Sequence, residues 1–150
     1  FLGLLGGLVW AASSKKPAAG PALGLVSVGF NSPGFTPGSL HTGVVGLRNT
    51  GTLGATVQGT IQLQADINPE LFPSWVTDII PATIAAGETA NFITNDFIIP
   101  GTAVPTMQYV WILTIQYDGK VLGPLTGNAF VIEAQPEPFL VLVSPPVFSP

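Results

Sequence analysis

The side chains that could carry out chemistry are few and scattered along this chain. His41 is the single histidine, cysteine is absent, and the acidic side chains number eight. The acids are Asp66, Glu70, Asp78, Glu88, Asp96, Asp118, Glu133 and Glu137. Ser-His-Asp catalysis needs its three groups held together, and no Gly-x-Ser-x-Gly elbow is present. A lone histidine at a strand start is more typical of a surface or turn position. We therefore predict no catalytic residue and no enzyme activity.

Metal, cofactor and nucleic-acid sites are equally poorly indicated. One histidine cannot build a multi-histidine metal site, and no Asp-rich run resembles a calcium loop. A calcium site assembled from Asp66 and Glu70 is the one alternative. Glycine-rich stretches lack the Lys-Ser/Thr of a phosphate loop, so no cofactor is expected. Four Lys and Arg residues at a net charge of −4 cannot form the basic surface that nucleic acid requires.

The composition favours a folded domain that is covered by partners. Charged residues are 8% and hydrophobic residues 47% of the 150, whereas a typical soluble domain has about 25% charged residues. A chain of this length suits one domain. A neutral, partly apolar surface suits a subunit buried in an assembly. Trp75, in a proline-rich stretch, is the aromatic side chain that best fits a contact site.

Alternating residues predict an all-β body. Odd positions of 55–67 are apolar or glycine and even positions polar, which is the period of a half-buried strand. A second strand is predicted over 107–117, and Asp118-Gly119 then predicts a tight hairpin. Weaker strand patterns occupy 23–30, 42–48, 89–99, 128–134 and 139–143, with at most one helical turn within 69–76. We predict an all-β, antiparallel immunoglobulin-like (or jelly-roll-like) sandwich preceded by a short apolar N-terminal segment.

Three short motifs in the body carry a family resemblance. They are Val44–Gly51 before the alternating strand, Ile84–Phe92, and Pro100–Thr102 ahead of the strand 109–117. Together they cover about residues 42–122 and resemble CARDB-like and related immunoglobulin-like extracellular surface modules. That resemblance implies an adhesion, stalk or shell module without catalysis.

The sequence divides into four segments. Residues 1–12 are an apolar N-terminal segment, 13–21 a linker, 22–135 the sandwich domain and 136–150 an apolar, proline-rich tail. Twelve helical residues span about 18 Å, too short to cross a bilayer alone. The segment therefore fits a remnant signal sequence, a membrane-dipping anchor with Lys15 and Lys16 at the headgroups, or a piece packed on neighbouring subunits. It also resembles the start of a type IV pilin, with Phe1 first but with Leu5 in place of the usual acid.

The tail 136–150 is a second candidate contact segment. It is expected to form the last strand of its own sandwich, to add to the sheet of a neighbour, or to enter lipid. The predicted subunit-interface residues are Phe1, Leu2, Leu4, Leu5, Leu8, Val9, Trp10, Phe139, Leu140, Val141, Leu142, Val143, Val147 and Phe148.

These features predict a structural subunit of an extracellular filament, pilus or sheath, assembled through apolar terminal segments. The expected partner is the chain itself, with membrane contact by residues 1–16 as an option and no nucleic acid. The expected location is extracellular or at the cell surface. One alternative is a viral capsid or minor capsid protein, located in the virion, with a membrane-dipping N-terminus. The other is a monomeric cell-surface binding module.

Overall fold

A computed structural model describes residues 20–31 and 34–135. Within these residues the chain forms nine β-strands and one short 3-10 helix, Pro69–Leu71. The strands are β1 Leu23–Phe30, β2 Leu40–His41, β3 Gly43–Asn49, β4 Ala55–Ala65, β5 Trp75–Ile84, β6 Thr89–Ile93, β7 Phe97–Ile98, β8 Gln108–Tyr117 and β9 Lys120–Val131.

The strands form two main sheets and one small one. The four-stranded sheet has the order β9-β8-β4-β5, the three-stranded sheet β1-β3-β6, and the remaining pair is β2-β7. All these pairings are antiparallel. The main sheets share one hydrophobic core, which Val45 and Leu47 enter from β3 and Ile61 and Leu113 from the opposite sheet. The antiparallel β-sandwich predicted from the sequence is therefore confirmed.

The alternation in β4 places its apolar residues in this core. Val57, Ile61 and Leu63 have no exposed surface, because successive side chains of a strand point to opposite faces. Ile67 departs from the prediction: the strand ends at Ala65, and Ile67 is 66% exposed.

The hairpin between β8 and β9 follows its predicted turn. Asp118 and Gly119 both have positive φ, 49° and 70°, the combination that a type I′ turn requires. The strand that begins at Lys120 continues through two bulges to Val131. It absorbs most of the separate strand that was expected at 128–134.

Strand β5 is the main element that the sequence analysis missed. One helical turn was expected over 69–76, but the 3-10 helix ends at Leu71 and a ten-residue strand starts at Trp75. Its apolar residues do not mark its buried face, since polar Thr77 is buried while apolar Val76 and Ile80 are exposed. The strand lies at a sheet edge, where a proline such as its Pro81 is tolerated.

The expected strand 89–99 is divided into β6 and β7. Strand β6 ends at Ile93, and Thr94 bonds to both sheets: its backbone N–H donates to the Gly43 carbonyl oxygen of β3 at 2.9 Å, and it forms an isolated bridge with Ile79 of β5. This bridge links the two main sheets at one side of the sandwich. No helix in the described ranges is long and apolar enough to cross a membrane.

Candidate interaction surfaces

All fourteen predicted interface residues lie outside the described residues. They belong to the segments 1–12 and 136–150, so their contacts remain a prediction. The strand predicted at 139–143 lies there too. What the structure does define is where each segment joins the sandwich.

The N-terminal segment joins at the β8–β9 hairpin. The Lys120 Nζ donates a hydrogen bond of 3.0 Å to the Pro21 carbonyl oxygen. The Thr52 backbone N–H donates to the Gly20 carbonyl oxygen at 2.9 Å. Residues 20 and 21 are thereby held at the end of the molecule where β9 begins.

The C-terminal tail departs from the other end of β9. The Glu133 backbone N–H donates to the Phe35 carbonyl oxygen at 2.9 Å, and the Gln135 side-chain amide donates to the Pro37 carbonyl oxygen at 2.8 Å. Strand β9 has 12 residues, and at about 3.3 Å per residue they span roughly 36 Å. Residues 20 and 135, the first and last that the structure describes, therefore lie at opposite ends of the sandwich.

The sandwich itself carries exposed apolar side chains. Leu40 and Ile98 are direct cross-strand partners in β2 and β7 and are 59% and 60% exposed. Further exposed apolar residues are Val26, Leu53, Ile67, Leu71, Val76, Ile80, Ile93, Val104, Val121 and Val131. Every charged side chain among the described residues is also exposed, so the surface mixes few charges with much apolar area.

The outer face of β4 is polar and uncharged. Gln58, Thr60, Gln62 and Gln64 point away from the core, and the Gln62 amide donates to the Gln64 side-chain oxygen at 3.2 Å. Beside this stripe lies an open groove of about 410 Å³. Asp78 is the single carboxylate among its lining residues, so the groove lacks the pair of acids that general acid–base hydrolysis would use.

His41 is buried, contrary to the surface or turn position expected for it. Its side chain is 3% exposed and stacks on Phe35, with ring centroids 4.5 Å apart. The ring Nδ1 lies 3.1 Å from the Asn31 carbonyl oxygen and Nε2 lies 2.7 Å from the Ser39 Oγ. Pairing of β2 with β7 turns the ring inward, which the local sequence does not indicate.

The Ser39–His41 contact does not make a catalytic triad. A carbonyl oxygen only accepts, so the Nδ1 position carries a proton that it donates to Asn31, where a triad would present a carboxylate. The Ser39 Oγ also lies 2.6 Å from the Thr36 carbonyl oxygen, and because a hydroxyl carries one proton, it donates to only one of Thr36 and the His41 ring at a time. These hydrogen bonds hold the segment between β1 and β3 in place.

Trp75 and Tyr109 belong to an aromatic cluster in the sandwich. Trp75 is half-buried, with its ring centroid 5.3 Å from that of Tyr109, and its indole N–H has no hydrogen-bond partner among the described residues. The Tyr109 hydroxyl donates to the Pro73 carbonyl oxygen at 3.0 Å. Burial raises the pKa of the Tyr109 phenol above its ordinary value of 10.0. Trp75 is thus largely a packing residue.

Acidic and histidine side chains do not gather into a metal site in the described part of the chain. No group of three or more metal-ligating side chains comes together there. Asp66 and Glu70, the residues considered for calcium, are both exposed and lie on either side of Asn68 in the loop that follows β4.

The chain matches no protein-family model, and no curated protein matches it. The solved structures that are similar to this chain include the following three. One is the alkylpurine DNA glycosylase AlkC from Pseudomonas fluorescens, with TM-score 0.48, 11% identity and coverage of 71% of this chain and 30% of that chain. The second is the ApaA protein from Bordetella pertussis, with TM-score 0.47, 12% identity and coverage of 78% and 98%. The third is the sporulation control protein Spo0M from Bacillus subtilis, with TM-score 0.43, 13% identity and coverage of 77% and 50%.

This chain therefore spans less than a third of the AlkC chain and half of the Spo0M chain. At such identities and TM-scores the three structures carry no argument about function.

Proposed function

We propose that this chain is a structural subunit of an extracellular filament, pilus or sheath, assembled from copies of itself through its apolar terminal segments. The observation that carries the proposal is that residues 20 and 135, beyond which the two apolar segments follow in the sequence, lie at opposite ends of the sandwich. Gly20 is held near Lys120, at the start of β9, and Gln135 is held near Pro37, beyond its end.

Opposite attachment points favour open assembly over a closed pair. A segment leaving one end of a subunit meets the other end of the next, which is a heterologous, head-to-tail contact. Such contacts continue into filaments when the rotation between subunits does not close a ring. Membrane contact by residues 1–16 remains compatible with this arrangement as an anchor at the base.

Low charge supports the same proposal. With four basic and eight acidic residues in the whole chain, neighbouring copies repel one another weakly. The exposed apolar side chains, among them the Leu40–Ile98 pair, add area that packing between copies would cover.

Charge substitutions in the full-length chain test the proposal. Leu8→Glu places a charge in the N-terminal segment and Leu142→Glu places one in the tail, while Ile67→Glu alters a side chain that is 66% exposed in the sandwich. Electron microscopy should show filaments in the wild-type and Ile67→Glu proteins. Neither terminal variant should form them.

Circular dichroism should give the same β signature for all four proteins, which separates assembly from folding. A wild-type protein that stays monomeric at high concentration would contradict the proposal and favour a monomeric binding module. Closed shells would favour the capsid alternative.

A further inference from the structure

In the described part of the chain the two main sheets have four edge strands, and three of them are protected against pairing with another chain. Strand β5 carries Asp78 and Pro81, and β9 carries Lys120, Pro124 and two register shifts. Charges, prolines and bulges are the usual means of blocking an edge. Strand β6 is five residues long and is followed at once by the Thr94 bridge to β5.

Strand β1 lacks most of that protection. Its eight residues, Leu23–Phe30, include no charged residue and no proline. A single register shift occurs between Leu25 and Ser27. An uncharged edge of this length is a template for strand addition.

Hydrogen-bond alternation shows which β1 backbone groups face outward. On β3, Gly43 and Asn49 bond toward the β6 side, to Thr94 and Glu88. Backbone groups of an antiparallel strand point to alternate sides, so the even-numbered residues of β3 bond to β1. Their β1 partners are Gly24, Ser27 and Gly29.

The β1 residues that flank these partners direct their backbone N–H and C=O groups away from β3. They are Leu23, Leu25, Val28 and Phe30. At Leu23 the outward N–H already donates to the Tyr117 hydroxyl at 3.2 Å. Among the residues that the structure describes, the part of this edge without a partner strand therefore begins at Leu25 and ends at Phe30.

Side chains along this edge leave room for an approaching strand. Gly24, Ser27 and Gly29 lie on the solvent-exposed face of β1, and a Cβ at Gly24 or Gly29 would meet nothing within 4 Å. Val26, at the register shift, is 57% exposed and apolar. A strand placed here would gain backbone hydrogen bonds without crossing a bulky or charged side chain.

The chain contains a segment that suits this edge. The run Phe139–Val143 is five uncharged apolar residues bracketed by Pro138 and Pro145. It lies four residues beyond Gln135, which the Pro37 carbonyl holds at the Phe30 end of β1. To reach its own β1 edge, the tail would have to reverse direction soon after Gln135, whereas a tail that continues in the direction of β9 reaches an adjacent copy.

We propose that the β1 edge of one copy accepts the Phe139–Val143 run of the adjacent copy as an added strand. The inference rests on the proposed function, because it names the acceptor for the tail in a head-to-tail assembly. In this assembly the end of one sandwich that contains Pro37 (the Pro37 end) meets the end of the next that contains Pro21 (the Pro21 end). The tail of the first copy then reaches β1 of the second copy at Leu23 and runs parallel to it.

Disulfide trapping tests this pairing in the full-length chain, which has no native cysteine. One preparation carries Val141→Cys and a second carries Ser27→Cys, with Gly29→Cys covering a shifted register. The matched control is Asn128→Cys, an exposed residue on the protected β9 edge. The two preparations are mixed under assembly conditions and mildly oxidised, so any dimer linked through both positions joins two copies.

We expect a disulfide dimer of Val141→Cys with Ser27→Cys or Gly29→Cys, several-fold more abundant than with Asn128→Cys. Equal trapping at the control overturns the β1 assignment. Filaments that form without any β1 cross-link overturn the inference while the proposed function stands. The absence of wild-type filaments overturns both.

A double variant, Ser27→Cys with Val141→Cys, distinguishes the tail's own edge from that of a neighbour. A ladder of linked copies on a non-reducing gel supports the proposal. An internally linked monomer overturns it, because the tail would then cover its own β1.

A lysine pair gives an independent measurement. Val26→Lys charges the β1 edge, and Val121→Lys charges the β9 edge at a residue of similar exposure, 57% against 60%. Val26→Lys should raise the concentration needed for filament formation and Val121→Lys should leave it unchanged. Equal effects of the two would overturn the proposal.

Discussion

His41 shows how one side chain can order a segment of this sandwich. Its imidazole is enclosed, stacked on Phe35 and hydrogen-bonded through both ring nitrogens, to Asn31 and Ser39. Each of these contacts joins β2 to the segment that follows β1. A residue type associated with catalysis therefore acts here as a structural fastening.

Replacing His41 with alanine should destabilise the domain. The variant loses two hydrogen bonds and a stacked ring and leaves a cavity, so we expect about 2–4 kcal/mol less free energy of unfolding. Ser39→Ala, which removes one side of the same arrangement, should cost about 1 kcal/mol. Urea unfolding followed by circular dichroism measures both. A His41→Ala effect below about 0.5 kcal/mol would be that of a surface residue and would contradict the burial.

Tyr109 should make stability sensitive to alkali. Its pKa is raised by burial, so the neutral phenol is favoured in the folded state. That contribution is fully present below the unfolded-state pKa of about 10 and is lost as the pH rises toward the folded-state value. Wild-type stability should therefore fall above pH about 10.

The Tyr109→Phe variant should lose about 1 kcal/mol at neutral pH, through its hydrogen bond to Pro73, and then decline less with alkali. Thermal unfolding between neutral and alkaline pH compares the two proteins. Parallel declines would show that another group controls the alkaline transition.

At the scale of the element, central strand β4 depends on a close approach to β8. Gly59 faces Ile115 in the ladder, and a Cβ at Gly59 would overlap the Thr114 carbonyl oxygen. The backbone of β8 cannot move away from such a Cβ without disturbing the neighbouring hydrogen bonds between β4 and β8. The glycine is therefore required by packing between the strands.

Gly59→Ala should accordingly cost about 1–3 kcal/mol or more in unfolding free energy. Gly24→Ala is the matched control, since Gly24 also lies in a strand and a Cβ there meets nothing within 4 Å. Its effect should stay within about 0.5 kcal/mol. Equal losses in the two variants, measured by chemical denaturation, would contradict the tight β4–β8 contact.

A strand of this fold can be predicted from the sequence when its apolar and polar residues alternate clearly and the apolar ones face the core. Strand β4 and the Asp118-Gly119 hairpin are predictable because local alternation and turn chemistry agree with the final packing. Strand β5 is not, because Thr77 faces the core while Val76 and Ile80 face outward. Burial of His41 depends on stacking with Phe35 and on pairing with β7, which lies far along the chain, and no local pattern reveals it.

The candidate interaction surfaces divide in the same way. The apolar terminal runs are evident in the sequence, whereas their opposite attachment points depend on the direction of β9. The open edge of β1 likewise becomes evident only once strand order is known.

The whole molecule, in the proposed assembly, is a weakly charged block joined to its neighbours through apolar segments at both ends. Assembly of such a block should depend little on electrostatics. Raising sodium chloride from about 0.1 M to about 1 M shortens the screening length from about 10 Å to about 3 Å, and filaments should persist. Ammonium sulfate should promote assembly, because excluded salts strengthen apolar burial. Turbidity and sedimentation measure the response, and dissolution by sodium chloride would indicate contacts held by charge.

The most direct test of the central claim is cryo-electron microscopy of the wild-type chain under assembling conditions. We expect filaments in which the Pro37 end of each sandwich meets the Pro21 end of the next, with β9 running broadly along the axis. The expected rise per subunit along a strand of such blocks is on the order of the 36 Å estimated for β9. Dispersed monomers, or filaments whose subunits meet side by side with both ends facing solvent, would contradict it.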